Sequence, residues 1–260
     1  MPSVTFATFC YHKDAPRIHQ PWQLKRLVDC HGYQFDEIIL VHQRMTDEQE
    51  KALRPIDEIS NLKVIKSSYD DLRNFGIPDY DEIAEACCNG EGDPHYYKKH
   101  VCNHAAAIKV ATSDYVVFAD SDISMIRNGP PSWVNVAIDV LNKYPDIFVV
   151  TPDEGGTDTW KRVPEGRFTL HSSQQIFLVR RVDLLNMDWN VWWDWPLGAS
   201  WPTKTRNGHQ NGYLAPNQPM AQFYPMLEGL IYRWMRKVNK YRFVLNGQHW
   251  RYWHDGAVNK

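Results

Sequence analysis

The first half of the chain alternates short apolar runs with stretches of helical periodicity. The apolar runs are rich in β-branched and aromatic side chains, which is typical of buried strands. Strands separated by helices over such distances form βαβ units, so the pattern predicts an α/β, Rossmann-like fold with a mostly parallel central sheet flanked by helices. The predicted strands are 4–9, 38–41, 62–65 and 115–119, and the predicted helices are 21–31, 46–54 and 95–111.

The second half is less regular, and it contains no internal repeat and no clear linker. One composite domain over residues 1–260 is therefore the simplest prediction. Two stretches lack periodicity and are predicted to be an irregular insertion (70–92) and a long loop (186–220). The predicted helices are 132–144 and 226–240, the predicted strands are 148–151, 175–179 and 241–245, and residues 249–254 are expected to lie in an aromatic tail.

Composition excludes several classes of protein. Lys and Arg number 29 against 31 Asp and Glu, a net charge of −2, which argues against nucleic-acid binding by bulk electrostatics. No apolar run approaches the roughly 20 residues of a transmembrane segment. Residues 1–11 lack the features of a signal peptide, and the five cysteines fit free thiols in a reducing compartment. We therefore expect a cytoplasmic protein, either free or peripheral at a membrane.

Two aspartates, Asp120 and Asp122, directly follow the apolar run 115–119. Ligands of open α/β sheets bind beyond the carboxyl ends of the strands, where this pair is expected to lie. Two carboxylates at this spacing can chelate Mg²⁺ or Mn²⁺, which in turn holds phosphate oxygens. The alternative is an ordinary turn, since Asp and Ser are common turn residues.

The sequence around the pair is more specific than the pair alone. Residues 103–122, NHAAAIKVATSDYVVFADSD, consist of an Asn, an Ala-rich helix, a short turn, an apolar strand and D-x-D. This segment resembles the centre of glycosyltransferases with the GT-A fold, particularly those similar to family 2. A looser resemblance in the order of elements extends over residues 4–236. It implies a GT-A-like enzyme with a smaller, irregular acceptor-binding part. The nucleotide-sugar-binding half is expected at 1–122 and the acceptor-binding half at 123–260.

The resemblance implies a nucleotide-sugar donor, and a UDP-sugar is the commonest partner of D-x-D in this fold. A Mn²⁺ or Mg²⁺ ion held by Asp120 and Asp122 would neutralise the leaving diphosphate. Some enzymes of this fold take a further ligand from a histidine near the C-terminus, which indicates His254 here, ahead of His249. Other expected donor contacts are Thr8, Phe9, Tyr11, Lys99, Asn103, Ser121 and Arg251. Core packing is the alternative for Phe9, and solvated surface charge is the alternative for the Lys and the Arg.

Inverting transfer needs a carboxylate that takes the proton of the acceptor hydroxyl. Family 2-like enzymes place that acid at the start of a helix, which corresponds to Glu228 in the predicted helix 226–240. The alternative for Glu228 is a first-turn acid that complements the helix dipole, and Asp194 is a rival base. Asp153 and Glu154 follow a predicted strand and are candidates for binding acceptor hydroxyls. A retaining transferase on the same fold stays open as an alternative mechanism.

A dense group of tryptophans is expected to touch a glycan or other hydroxyl acceptor. Indole faces stack on pyranose rings, although some of these residues must instead form a small core beneath the loop. The group consists of Trp189, Trp192, Trp193, Trp195 and Trp201.

Three other functions compete with a glycosyltransferase. A carbohydrate-binding protein without catalysis would explain the tryptophans but needs neither D-x-D nor Glu228. A nucleotidyltransferase is disfavoured because residues 4–12 contain no glycine for a phosphate-binding loop. A zinc site is disfavoured because the Cys and His residues of one region lack C-x₂₋₄-C spacing. These residues are Cys87, Cys88, His95, His100, Cys102 and His104.

Overall fold

The computed structural model describes residues 2–11, 21–43, 46–52, 59–68, 70–76, 94–127, 131–153, 159, 161–169, 175–189 and 227–254. The strands in these ranges are β1 (Val4–Tyr11), β2 (Glu37–Gln43), β3 (Leu62–Lys66), β4 (Tyr115–Ala119), β5 (Ile123–Arg127), β6 (Ile147–Thr151), β7 (Lys161–Val163), β8 (Gly166–Thr169), β9 (Ile176–Arg180), β10 (Tyr241–Leu245) and β11 (Trp250–His254). The helices are α1 (Pro21–Asp29), α2 (Asp47–Ala52), α3 (Asp70–Arg73), α4 (Pro94–Val110), α5 (Trp133–Lys143), α6 (Arg181–Leu185) and α7 (Leu227–Lys237).

Nine of the described strands form one mixed sheet in the order β3-β2-β1-β4-β9-β6-β10-β8-β7. The first four strands are mutually parallel, and β6 and β10 are parallel to each other. Strand β9 lies between β4 and β6 and is antiparallel to both. Because only β9 and β8 run against the others, the predicted α/β fold with a mostly parallel sheet is confirmed.

Helices cover both faces of this sheet, as predicted. Phe6 and Ala7 of β1 point to opposite faces, as successive strand residues do, and each belongs to a different core cluster. The cluster around Phe6 contains the buried residues of α1 and α5. The cluster around Ala7 contains the buried residues of α4 and α7.

Two predicted helix starts are confirmed by their capping contacts. Thr46 and Gln49 form a reciprocal capping box, since the Gln49 amide donates to Thr46 Oγ1 at 3.3 Å and the Thr46 amide donates to Gln49 Oε1 at 3.0 Å. Ser132 caps α5 by accepting the Val134 amide proton at 3.2 Å. Each cap satisfies amide protons that have no partner inside the helix.

Glu37 ties three elements together at the amino edge of the sheet. Its carboxylate accepts from Thr5 Oγ1 at 2.7 Å and from the Thr112 amide at 3.1 Å, and it forms an ion pair with Lys63. Burial alone raises the pKa of this carboxyl, but the hydrogen bonds from Lys63, Thr5 and Thr112 outweigh burial and hold the pKa below its usual range. The folded protein therefore stabilises the ionised form of the Glu37 carboxyl.

Several elements differ from the prediction. The stretch predicted as an irregular insertion begins with α3, and the stretch predicted as an aromatic tail contains β11. Strand β11 pairs with β5, and β7 pairs with β8, and none of β5, β7 or β8 was predicted. These strands are short and are stabilised by partners, which local periodicity does not report. Within the described chain, no helix combines the length and the apolar character needed to cross a membrane.

Candidate functional site at the carboxyl edge of the sheet

The aspartate pair lies where the strand pattern predicts it, directly after the buried strand β4. Strand β1 is parallel to β4, and Thr8 lies opposite Ala119, so the last three residues of β1 extend past the end of β4. The Asp120 amide donates to the Gln175 carbonyl at 2.8 Å, and the Ile123 amide donates to the Asp120 carbonyl at 3.3 Å. These two bonds fix a turn that carries the two half-buried aspartates, so the turn alternative and the acidic pair are compatible.

Strand β5 carries the chain away from the aspartates and pairs antiparallel with β11. In this ribbon His254 lies opposite Ile123, and Arg251 lies opposite Ile126. The backbone of His254 is therefore next to the residue that follows Asp122. The side chain of His254 lies outside the described part of the structure.

The donor chemistry at this turn fits a hard divalent cation, although the structure does not complete a metal cluster. Asp120 and Asp122 are half-buried and supply carboxylate oxygens, the ligands that Mg²⁺ and Mn²⁺ prefer. Among the side chains that the structure describes, no group of three His, Cys, Asp or Glu could hold a metal ion. A complete ligand set would therefore need water or a side chain beyond those described.

Two predicted donor contacts, Thr8 and Asn103, are fully buried polar residues behind this edge. Asn103 lies on α4, and its Oδ1 accepts from Ser67 Oγ, just past β3, at 2.5 Å. Within the described residues, Thr8 Oγ1 and Asn103 Nδ2 have no hydrogen-bond partner. Buried polar atoms of native proteins are usually satisfied, so these two atoms have hydrogen-bonding capacity that the described residues do not use.

Phe9 lies in the core rather than on a free surface. Its side chain is 2% exposed, and its ring centroid lies 4.2 Å from that of His104 and 6.1 Å from that of Phe118. Phe9 is therefore packed in the core, which is the alternative to a donor contact given for it above. His104 itself is buried among phenylalanine rings.

Other predicted site residues are placed only by their backbone or not at all. Tyr11 ends β1 opposite Gln43, Lys99 lies within α4, and Glu228 is the second residue of α7. Ser121 lies half-buried between the two aspartates. Asp194 and Glu154 lie outside the described residues, as do four of the five tryptophans.

Trp189 belongs to the core cluster that also contains Ala7 and the buried residues of α4 and α7. It is 2% exposed, its Nε1 donates to the Leu184 carbonyl at 3.0 Å, and its ring centroid lies 4.4 Å from that of Phe75. A side chain held in this way has no free face for stacking on a sugar. The core alternative is correct for this tryptophan.

Asp153 and Arg251 lie together, further along the same edge. Asp153 is 6% exposed and follows β6, and its backbone amide donates to the Trp250 carbonyl of β11 at 3.0 Å. Its carboxylate accepts from Arg167 Nη2 at 2.8 Å and lies 3.9 Å from Arg251 Nε. Sequence reasoning missed Arg162 and Arg167, because the β7–β8 hairpin that carries them was not predicted.

Comparison with known proteins gives structural neighbours but no sequence relatives. No protein-family model matches the chain, and no curated protein matches it in sequence. The chain is similar to residues 1–349 of TarS from S. aureus, with 15% identity and a TM-score of 0.47, over 97% of this chain and 60% of that one. It is also similar to the mannosyltransferase PcManGT from Pyrobaculum calidifontis in complex with GDP-Man and Mn²⁺, with 19% identity and a TM-score of 0.40, over 70% of this chain and 45% of that one.

A third similar structure is glucosyl-3-phosphoglycerate synthase from Mycobacterium tuberculosis in complex with Mn²⁺, UDP and phosphoglyceric acid. The identity is 17% and the TM-score 0.32, over 60% of this chain and 44% of that one. The chain thus spans less than two thirds of the length of each of these structures. A glycosyltransferase is the class of protein that residues 103–122 resemble, and a mannosyltransferase is among these structural neighbours.

Proposed function

We propose that the protein is a metal-dependent glycosyltransferase that moves a sugar from a nucleotide diphosphate sugar, a UDP-sugar, to a hydroxyl of a glycan or another acceptor. The observation that carries the proposal is the placement of Asp120 and Asp122 at the carboxyl end of β4, beside the longer strand β1. This is the edge at which α/β sheets bind nucleotides. The backbone register of β11 supports His254 as a further ligand.

The donor half of the site would bind the nucleotide and its diphosphate. Asp120, Asp122 and His254 would hold Mn²⁺ or Mg²⁺, which supplies Lewis-acid stabilisation of the leaving diphosphate. Thr8, Tyr11 and Asn103 lie on β1 and α4, which lead to the same edge, and are proposed to position the nucleoside. Lys99 is proposed to meet a phosphate oxygen.

Glu228 is proposed as the base that takes the proton of the acceptor hydroxyl. It lies in the first turn of α7, a helix that packs on the same face of the sheet as α4. A carboxylate that removes this proton during in-line attack gives inversion at the anomeric carbon. Asp194 is the rival for this role, and retention is the alternative outcome.

Calorimetric titration of UDP tests the donor site. With Mn²⁺ present we expect micromolar binding that needs the metal and is lost in Asp122→Ala. Asp139→Ala is the matched control, because Asp139 is an exposed residue of α5, away from the carboxyl edge. Metal-independent binding of UDP would remove the role given to the aspartates. Failure of UDP, GDP and dTDP alike would make a non-catalytic carbohydrate-binding protein the better description.

A further inference from the structure

A small basic cavity lies at the carboxyl edge, beyond the aspartate turn. It has a volume of about 210 Å³, and its walls come from the end of β6, the β7–β8 hairpin and the turn between β10 and β11. The charged residues of its described lining are Asp153, Arg162, Arg167 and Arg251. Three arginines and one aspartate therefore line the cavity, and two of the arginines contact the aspartate.

The arginines of the described lining place positive charge in excess around the buried Asp153. Arg162 and Arg167 are directly opposite each other across the β7–β8 hairpin, and like charges in such a pair destabilise a sheet. Arg167 bonds Asp153 through Nη2, but within the described residues its buried Nε has no hydrogen-bond partner. Arg251 is 3.9 Å from the same carboxylate. Within the described lining, one aspartate stands against three arginines, so a further negative charge would be stabilised there.

Two glycines of the cavity wall allow its elements to pack closely against each other. A Cβ at Gly247 would lie 1.9 Å from Asp153 Oδ2, and a Cβ at Gly166 would lie 2.1 Å from the Val244 carbonyl oxygen. The cavity is also smaller than the roughly 300–1,000 Å³ of sites that enclose a drug-sized ligand. It suits one charged group of a larger molecule. Guanidinium groups bind phosphate and carboxylate in particular.

The cavity is separate from the expected position of the donor diphosphate. The aspartate turn follows β4, whereas the cavity lies beside β6, β10 and β8, two to four strands further along the sheet. At about 4.8 Å per strand, the separation is roughly 10–19 Å. Strand β11 connects the two places, with His254 beside the aspartates and Arg251 at the cavity. Arg251, which the sequence predicted as a donor contact, is here assigned to the cavity instead.

We infer that this cavity binds a phosphate or carboxylate group of the acceptor, an assignment that rests on the proposed function. An acceptor anchored there by its anionic group would extend along β11 towards the donor sugar. The protein would then select negatively charged acceptors over neutral ones.

Nuclear magnetic resonance of arginine Nε–H groups, with inorganic phosphate and then acetate as probes, tests the inference without metal. We expect millimolar phosphate or acetate to shift the Arg167 Nε–H signal, and the stronger probe distinguishes a phosphate from a carboxylate ligand. Arg162→Ala should weaken this binding about tenfold. The matched control is Lys161→Ala, which removes the same charge from the adjacent β7 residue, whose Nζ lies over the Phe168 ring.

The same samples are then titrated with UDP and Mn²⁺. We expect phosphate and UDP to bind together, and Arg162→Ala to leave UDP binding unchanged. Displacement of phosphate by UDP would overturn the inference. So would equal losses of phosphate binding in Arg162→Ala and Lys161→Ala, or the absence of any shift of the Arg167 Nε–H signal. If phosphate binds through Arg162 but no nucleotide binds, the anion site stands and the proposed function fails.

Discussion

His254 and Ile123 lie directly opposite each other in the ribbon formed by β5 and β11. Because Ile123 follows Asp122, this pairing brings the backbone of the C-terminal strand to the aspartate turn. The residues around Ile123 and His254, which are far apart in the sequence, are thus held together by the backbone pairing of β5 and β11, independently of any ligand. A metal site assembled here would be largely held in place before the donor arrives.

Replacement of His254 tests whether the ribbon supplies a ligand. We expect His254→Ala to weaken the binding of UDP with Mn²⁺ at least about tenfold, because one metal-ligand bond is lost. The control is His249→Ala, since His249 is exposed in the turn before β11. A larger loss in the His249 variant would transfer the proposed role to that residue.

Replacement of Glu228 tests the proposed base. We expect Glu228→Gln to lower kcat by roughly 10²–10⁴, because a general base is lost, while the affinity for UDP with Mn²⁺ stays the same. Asp194→Asn is the comparison, and a loss of kcat confined to that variant would identify Asp194 as the base. The anomeric configuration of the product, read by nuclear magnetic resonance, separates inversion from retention.

Protonation of Glu37 should weaken the fold. The pKa of this carboxyl is lower in the folded protein, so its stabilising contribution is present above the unfolded pKa of about 4.3 and is lost as the pH falls through the folded pKa. We expect Glu37→Gln to lower the free energy of unfolding by about 1–3 kcal/mol at pH 7. In urea unfolding at acid pH the difference between the two proteins should shrink. A constant difference would contradict the assignment.

His31 should make the free energy of unfolding depend on pH at higher pH values than Glu37 does. It is fully buried, its Nδ1 accepts from Trp133 Nε1 at 3.0 Å, and burial lowers its pKa to about 3. Its neutral form is stable in the fold, so its contribution falls as the pH drops below the unfolded value of about 6.5. Between pH 7 and 5 the loss is about 2 kcal/mol.

Chemical unfolding of His31→Gln over this range should show a correspondingly shallower decline than the unchanged protein. His249→Gln, an exposed histidine, is the control and should leave the decline unchanged. Parallel curves for the unchanged protein and the His31 variant would contradict the prediction.

Local sequence was sufficient to predict the strands and helices whose own apolar pattern marks them as buried. Strand β4 consists of five fully buried apolar residues, so its pattern and the position of Asp120 after it could be predicted. The position of Arg251 beside Asp153 could not, because it depends on the pairing of β11 with β5 and on a bridge between distant residues. The Arg162–Arg167 pair was missed because the short β7–β8 hairpin that carries it was not predicted. Trp189 shows the limit of composition, since a tryptophan count does not separate a sugar platform from a core residue.

The position of β10 has a consequence for synthesis on the ribosome. Strand β10 lies between β6 and β8, so the sheet is interrupted there until a segment near residue 245 has been made. Until then the fully buried strand β6 presents an unpaired edge. The growing chain is therefore expected to depend on chaperones that shield this edge, and a ribosome stalled before β10 should yield an aggregation-prone product.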